Sequence, residues 1–248
     1  MGSRKKITVS WSGGKDAALA LDHVFNSNEF EVVSLHCIIT SETGRVGLHG
    51  VREQLIDEQA RAIGIPLVKS YLTQDASNHA YEEMVSGLYR SFHDEGITHI
   101  LFGDILLEDL KTYREALLRK ADLEPMFPLW GRSSRACVEA VVERGFRTII
   151  CAANETCYTH GFLGRIIDAD VIRQLPGGVD ASGENGEFHT FVFDAPYFKS
   201  AVAFSLGEVT SQTYAVNTIN LLNDAGTVRF YFQDLLPSMK DLNASNSI

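Results

Sequence analysis

Apolar and polar positions alternate between two periods over the first hundred residues. Ile7-Thr8-Val9-Ser10-Trp11 is a strand-like run that ends at a Gly-Gly pair. Asp16 to Phe25 then carries Ala17, Leu19, Ala20, Leu21 and Val24 at helical spacing. Glu31–Ile39 predicts a second strand, and Gly50–Ile63 a helix stopped by Gly64 with Pro66 behind it. Leu67–Leu72 and Ile97–Phe102 read as further strands, with a helix over Ala80–Phe92 between them. Strand and helix in alternation imply a parallel sheet covered by helices. Ligands of such folds sit beyond the carboxyl ends of the strands. Attention therefore falls on Ser12–Asp16, on Gly103-Asp104 and on the segment Thr40–His49.

The second half is less regular. Glu108–Leu118 and Ser134–Glu143 have helical spacing, and Arg147–Ala152 reads as a buried strand that could still belong to the first sheet. Phe188–Phe193, Lys199–Phe204, Thr210–Val216 and Thr227–Phe232 are strand-like. The expected organisation is an α/β domain over 1–128, a smaller α+β domain over 129–240, and a polar, frayed tail over 241–248. The strand-rich second half offers edges on which a homodimer could form.

Composition narrows the classes. The 248 residues are 45% hydrophobic and 22% charged, ordinary for a globular chain. No run approaches the roughly 20 apolar residues of a membrane helix, and the basic start leads into a strand rather than a secretory segment. No membrane association and a cytoplasmic location are the expectation. A net charge of -10 disfavours nucleic acid as a partner. Cys37, Cys137, Cys151 and Cys157 form no C-x-x-C pair, which argues against a zinc ribbon or a disulfide framework. Cys151, Cys157 and His160 match no common metal spacing.

The chemistry concentrates in Ser12-Gly13-Gly14-Lys15-Asp16, between the first strand and the first helix. Two glycines let the backbone approach an anion closely, and the helix start adds free N–H groups and a positive dipole end. Ser12 supplies a hydroxyl, Lys15 a cation and Asp16 a carboxylate suited to phosphate-bound Mg²⁺. The spacing is neither Walker A nor the dinucleotide G-x-G-x-x-G.

This loop resembles the PP-loop, S-G-G-x-D-S, of N-type ATP pyrophosphatases, with Ala17 in place of the final Ser. Three further blocks follow in order: Gly103-Asp104-Ile105, Phe127-Pro128-Leu129-Trp130 and Gly183-Glu184-Asn185-Gly186-Glu187-Phe188-His189-Thr190. Together they are similar to the diphthine–ammonia ligase family of the PP-loop superfamily, from about Lys6 to Pro196. Where that family often reads Asp-Pro-Cys, this chain has Asp180-Ala181-Ser182, so a cysteine has no part there.

The resemblance implies an adenine nucleotide alpha-hydrolase-like fold and an ATP-dependent amide ligase. A substrate carboxylate would be adenylated with release of pyrophosphate, and ammonia would then displace AMP. Ser12, Gly13, Gly14, Lys15, Asp16, Gly103 and His49 would bind ATP, and Asp16 and Asp104 would hold Mg²⁺. Lys15, Asp104, Glu184, Glu187 and His189 would carry the chemistry. The acceptor would be diphthine on elongation factor 2 in a eukaryote or archaeon, and another carboxylate in a bacterium.

Each residue also has a plainer reading. Glu187 and His189 could share a solvated strand face, Asp104 could cap a helix, Asn185 could shape a turn, and His49 could be a loop residue. Trp130 reads more readily as core than as a stacking platform. Two other functions stay open. One is a PP-loop enzyme acting on another acceptor, such as a tRNA-modifying or small-molecule ligase. The other is a module that binds nucleotide without turnover.

Overall fold

The computed structural model describes residues 4–215 and 227–238. The first half contains β1 (Lys5–Ser10), α1 (Lys15–Phe25), β2 (Phe30–Thr40), β3 (Arg45–Val46), β4 (Val51–Arg52) and α2 (Glu53–Ile63). It continues with β5 (Leu67–Leu72), α3 (Asn78–Asp94), β6 (His99–Leu101), α4 (Glu108–Arg119) and β7 (Glu124–Met126). Five strands pair in parallel in the order β5-β2-β1-β6-β7, so the chain builds outward from β1 in one direction and then in the other. The order reverses between β1 and β6, the place where α/β sheets leave a crevice. The short β3–β4 hairpin pairs with the far end of β2, past the last residue of β1.

Helices cover both faces. One apolar cluster collects α1 and α2, and another collects α3 and α4 with Ile100 and Phe102 of the β6 region. α1 is buried almost all round, with Ala18, Leu19, Ala20 and Leu21 fully inaccessible. A helix that is apolar on every side needs cover on every side. The second half of the chain provides it.

That half contains α5 (Ser134–Glu143), β8 (Arg147–Asn154), α6 (Glu155–Thr159), α7 (Ala169–Gln174), β9 (Phe188–Asp194), β10 (Phe204–Ala215) and β11 (Thr227–Pro237). A smaller antiparallel sheet runs β10-β11-β8-β9. The cluster around α1 also includes Val141 of α5, Phe191 and Val192 of β9 and Leu235 of β11, so the two sheets share one apolar core. The Arg147 strand therefore belongs to the second sheet, paired with β9 and β11 and not with the parallel strands.

Two sequence expectations are corrected, and three short elements are added to them. The helix expected from Gly50 begins at Glu53, because Val51 and Arg52 are drawn into pairing with Arg45 and Val46. Lys199–Phe204 is not a strand: β10 starts at Phe204 and runs on through Ala215. β7, α6 and α7 are short elements whose apolar residues are too few to show a period. Val216, the end of one expected strand, and the tail over 241–248 lie outside the described residues.

Candidate active site

The loop after β1 is shaped by close packing at its glycines. Gly13 has φ +80°, and a β-carbon there would lie 2.7 Å from Ile56 Cδ1 and 2.8 Å from Gln59 Oε1. At Gly14 a β-carbon would lie 2.7 Å from His49 Cε1. At Gly103, just past β6, it would lie 2.6 Å from the backbone of Asp16 and Ala17. The ends of β1 and β6 thus meet the start of α1 with no room for a side chain.

The loop is held from the second sheet as well. Lys15 N–H donates to Thr190 Oγ1 at 3.0 Å, and Val192 N–H donates to the Gly13 carbonyl at 2.9 Å. Gly14 N–H donates to Ser12 Oγ at 3.3 Å. Two amides that the sequence offers to an anion are therefore engaged within the protein. Lys15 is 2% exposed, with its ammonium donating to Asp16 Oδ2 at 2.8 Å and to the Ser182 carbonyl. Its charge is turned inward, between the 12–16 loop and the loop that precedes β9.

That second loop, 180–187, is organised by carboxylates. Asp180 Oδ1 accepts from the amides of Ser182 and Glu184. Glu187, 8% exposed, accepts from the amides of Asp180 at 2.8 Å and Asn185 at 3.0 Å and from the Asn185 side chain. Both Glu187 oxygens are thus spent on the fold of the loop, and Asn185 shares that duty. Glu184 instead reaches across to the first sheet, where its Oε2 accepts from the amides of Ile105 and Leu106 at 3.3 Å each. Burial and the nearby Asp16 push its carboxyl up to about 7, against the pull of Lys15 and the two amides.

Asp16 fits the role of a cation ligand. Burial raises its carboxyl above the ordinary range against the pull of Lys15, and Asp180 adds to the rise. Its Oδ1 is buried and has no hydrogen-bond partner among the described residues. Asp104 is differently placed, in an ion pair with Arg114 whose Nε lies 2.7 Å from Oδ2. Arg114 also packs over the Phe102 ring at 4.4 Å. No group of three His, Cys, Asp or Glu side chains among the described residues is arranged to hold an ion. A Mg²⁺ ion bound to Asp16 would complete its shell with phosphate oxygens and water.

His49 and His189 face one another, ring centroids 4.8 Å apart. His49 Nδ1–H donates to the Thr190 carbonyl at 3.0 Å, the tautomer that contact requires. Burial pushes this imidazole down to about 4, with Lys15 assisting and the Thr190 carbonyl opposing. Burial, His49 and Lys15 hold His189 well below the ordinary histidine value, and its Nε2 is buried without a partner among the described residues. Both rings are neutral at physiological pH. Trp130 stands apart from them, half-buried, with the Lys111 ammonium 4.8 Å over its ring.

Gln59 has no place in the sequence-based site. Fully buried, it donates to the carbonyls of Gly13 at 3.0 Å and Val192 at 2.6 Å and accepts from Trp11 Nε1 at 2.9 Å. The signal was present: a glutamine four residues after Leu55 and three after Ile56 lies on the apolar face of α2. The four cysteines are free and buried, and His160 is exposed, away from the two histidines. No helix among the described residues is long and apolar enough to cross a membrane.

Residues 5–125 match the diphthamide synthase N-terminal domain and residues 133–224 match the diphthamide synthase C-terminal domain. Among curated relatives, diphthine–ammonia ligase of Danio rerio is 24% identical over 229 residues, covering 79% of this chain and 85% of the relative. The protein of the same name from Bos taurus is 25% identical over 231 residues, covering 84% and 86%. That of Homo sapiens is 23% identical over 227 residues, covering 82% and 84%. With both of its domains matched in order over most of its length, the chain belongs to the diphthamide synthase family.

Proposed function

We propose that the protein is an ATP-dependent ligase that converts a substrate carboxylate to an amide, with diphthine as the acceptor class and AMP and pyrophosphate as products. One observation supports the reading above others. At the reversal of strand order between β1 and β6, the structure gathers a buried lysine, an unpartnered Asp16 oxygen and Glu184, whose carboxyl titrates near neutrality.

The pyrophosphate end of ATP would lie along Ser12–Asp16, drawn by Lys15 and the start of α1. This requires the inward contacts of Lys15 to give way to phosphate, with the 180–187 loop closing over the nucleotide and excluding water. A Mg²⁺ ion on Asp16, and on Asp104 if Arg114 lets it go, would neutralise charge on the leaving pyrophosphate. The acceptor, held by residues from 129 onward, would attack through a carboxylate oxygen. An O–P bond forms to the α-phosphorus, and the bond between the α and β phosphates breaks. Ammonia nitrogen then bonds the acyl carbon, the bond to AMP breaks, and the nitrogen loses a proton. Glu184 is the group suited to take that proton, because its carboxyl exchanges near pH 7. The neutral rings of His49 and His189 would orient the amine through lone pairs.

The test is to incubate the full chain with ATP, Mg²⁺, ammonium and elongation factor 2 bearing diphthine. AMP, pyrophosphate and amide should appear together, and Asp16→Asn should lower their rate about 10³-fold. AMP without amide would point to another acceptor. ATP bound but intact would replace the enzyme with a nucleotide sensor.

A further inference from the structure

β11 lies past residue 224, where the C-terminal family match ends, yet its side chains reach the hairpin that carries His49 and the ring of His189. Asp234, 16% exposed, meets both arms of the β3–β4 hairpin whose turn carries His49. Its Oδ1 lies 2.9 Å from Arg45 Nη2 and accepts from Arg52 Nε at 3.0 Å, and its Oδ2 accepts from Arg52 Nη2 at 2.7 Å. Burial pushes the Asp234 carboxyl up, but Arg52 and Arg45 together hold it below the ordinary carboxylate range. Arg45 in turn donates to the Gly50 carbonyl at 2.7 Å, closing the turn next to His49.

Two aromatic residues of the same strand complete the brace. Phe232 packs so tightly on the turn that a β-carbon at Gly50 would lie 2.5 Å from its Cδ1. Gly50 also has φ +65°, a conformation that glycine adopts without strain. Phe230 stacks on His189, centroids 5.9 Å apart and planes at 25°. The register explains the reach: Phe232 pairs with Ala152 of β8, and Ala152 pairs with His189 of β9. Residues 230 and 232 share one face of the strand, while Tyr231 on the other stacks on Tyr158.

We infer that Asp234, with Phe230 and Phe232, is the positioning device that presses His49 against Gly14 of the phosphate loop and fixes it opposite His189. Asp234 touches no substrate in this role; it acts through Arg45 and Arg52. The catalytic consequence rests on the ligase reading above, but the positioning itself does not.

The experiment therefore has two arms on the full chain. The first records ¹⁵N signals of the histidine rings by NMR. Wild type should show His49 as a single tautomer protonated on Nδ1. Asp234→Ala should give averaged ring signals, while buried His36 beside Thr8 keeps its own and reports an intact fold. Asp234→Glu should restore the single tautomer. Should His36 also change, Asp234→Asn, which keeps the volume, decides by the same comparison. An unaltered His49 tautomer beside an unaltered His36 overturns the inference. The second arm measures amide formation, where kcat should fall up to about 10²-fold in Asp234→Ala with KM for ATP little changed. If wild type makes no amide, the ligase reading fails and the first arm still decides the positioning role. If His49 loses its tautomer but kcat holds, the histidine has no part in catalysis.

Discussion

Two glycine-rich loops face each other at this site, and they are built differently: one is packed tightly from outside, the other is tied by its own carboxylates. The loop over 12–16 takes its shape from close packing on its glycines: a β-carbon would run into the Ile56 and Gln59 side chains at Gly13, into the His49 ring at Gly14, and, from Gly103, into the main chain of Asp16 and Ala17. The loop over 180–187 takes its shape from side chains, with Asp180 and Glu187 accepting the amides that its turns leave over. Acidic residues in a motif can therefore be the scaffold of a site while their neighbours do its work. Glu187 and Glu184 stand three residues apart, yet one is folded into its own loop and the other spans to Ile105 and Leu106.

The largest expected effect comes from breaking the close-packed loop where Gly103 meets it. Gly103→Ala places a β-carbon 2.6 Å from main-chain atoms that cannot rotate away. It should cost about 3 kcal/mol, measured by urea unfolding, and abolish nucleotide binding. Near-normal stability would mean that the sheet ends are not locked together there.

The second loop should fail more locally. Glu187→Gln leaves amides of Asp180 or Asn185 without an acceptor and should cost about 2 kcal/mol. Hydrogen exchange should quicken over 180–185 while the amides of Gly14 and Lys15 hold their protection. Equal loosening of both loops would show that they form one unit and not two.

The bridge from the second loop to the segment after β6 yields the smallest effect and the sharpest one. Folded Glu184 keeps its proton up to about pH 7, against an ordinary value of 4.5. The native state therefore binds more protons than the unfolded chain between those values, and this group's contribution is lost as pH rises from 4.5 through 7. In Glu184→Gln that loss should vanish, so the variant gains on wild type by about 1 kcal/mol between pH 4.5 and pH 8, allowing for solvent screening. Thermal unfolding across the range tests it, and parallel curves would remove Glu184 from the role of a neutral-range proton acceptor.

The same contrast marks what could be read from sequence. The parallel half was legible because its strands and helices are long, periodic and punctuated by glycine; Gly64 closes α2 at φ +84°. β3 and β4 were not, since two-residue strands have no period and Val51-Arg52 looks like the start of the helix behind it. Of the candidate residues, Ser12–Asp16 and Gly103-Asp104 were visible as residue types placed after strands, and Glu184, Glu187 and His189 only as part of a motif. Their orientation was not, because inward-turned Lys15, self-satisfied Glu187 and the Arg114 pairing of Asp104 depend on partners distant in sequence. Gln59 shows the converse: one polar residue on an apolar helix face was a signal of a buried contact.

The bond from Lys15 N–H to Thr190 spans 175 residues, and Gly13 is tied to Val192 in the same way. Contacts of such long separation close late in folding. On a ribosome, Ser12–Asp16 leaves the exit tunnel before β9 and remains unfinished until that strand follows it. A fragment ending before residue 188 would contain every residue of Ser12–Asp16 and still lack the hydroxyl and amide that set their conformation.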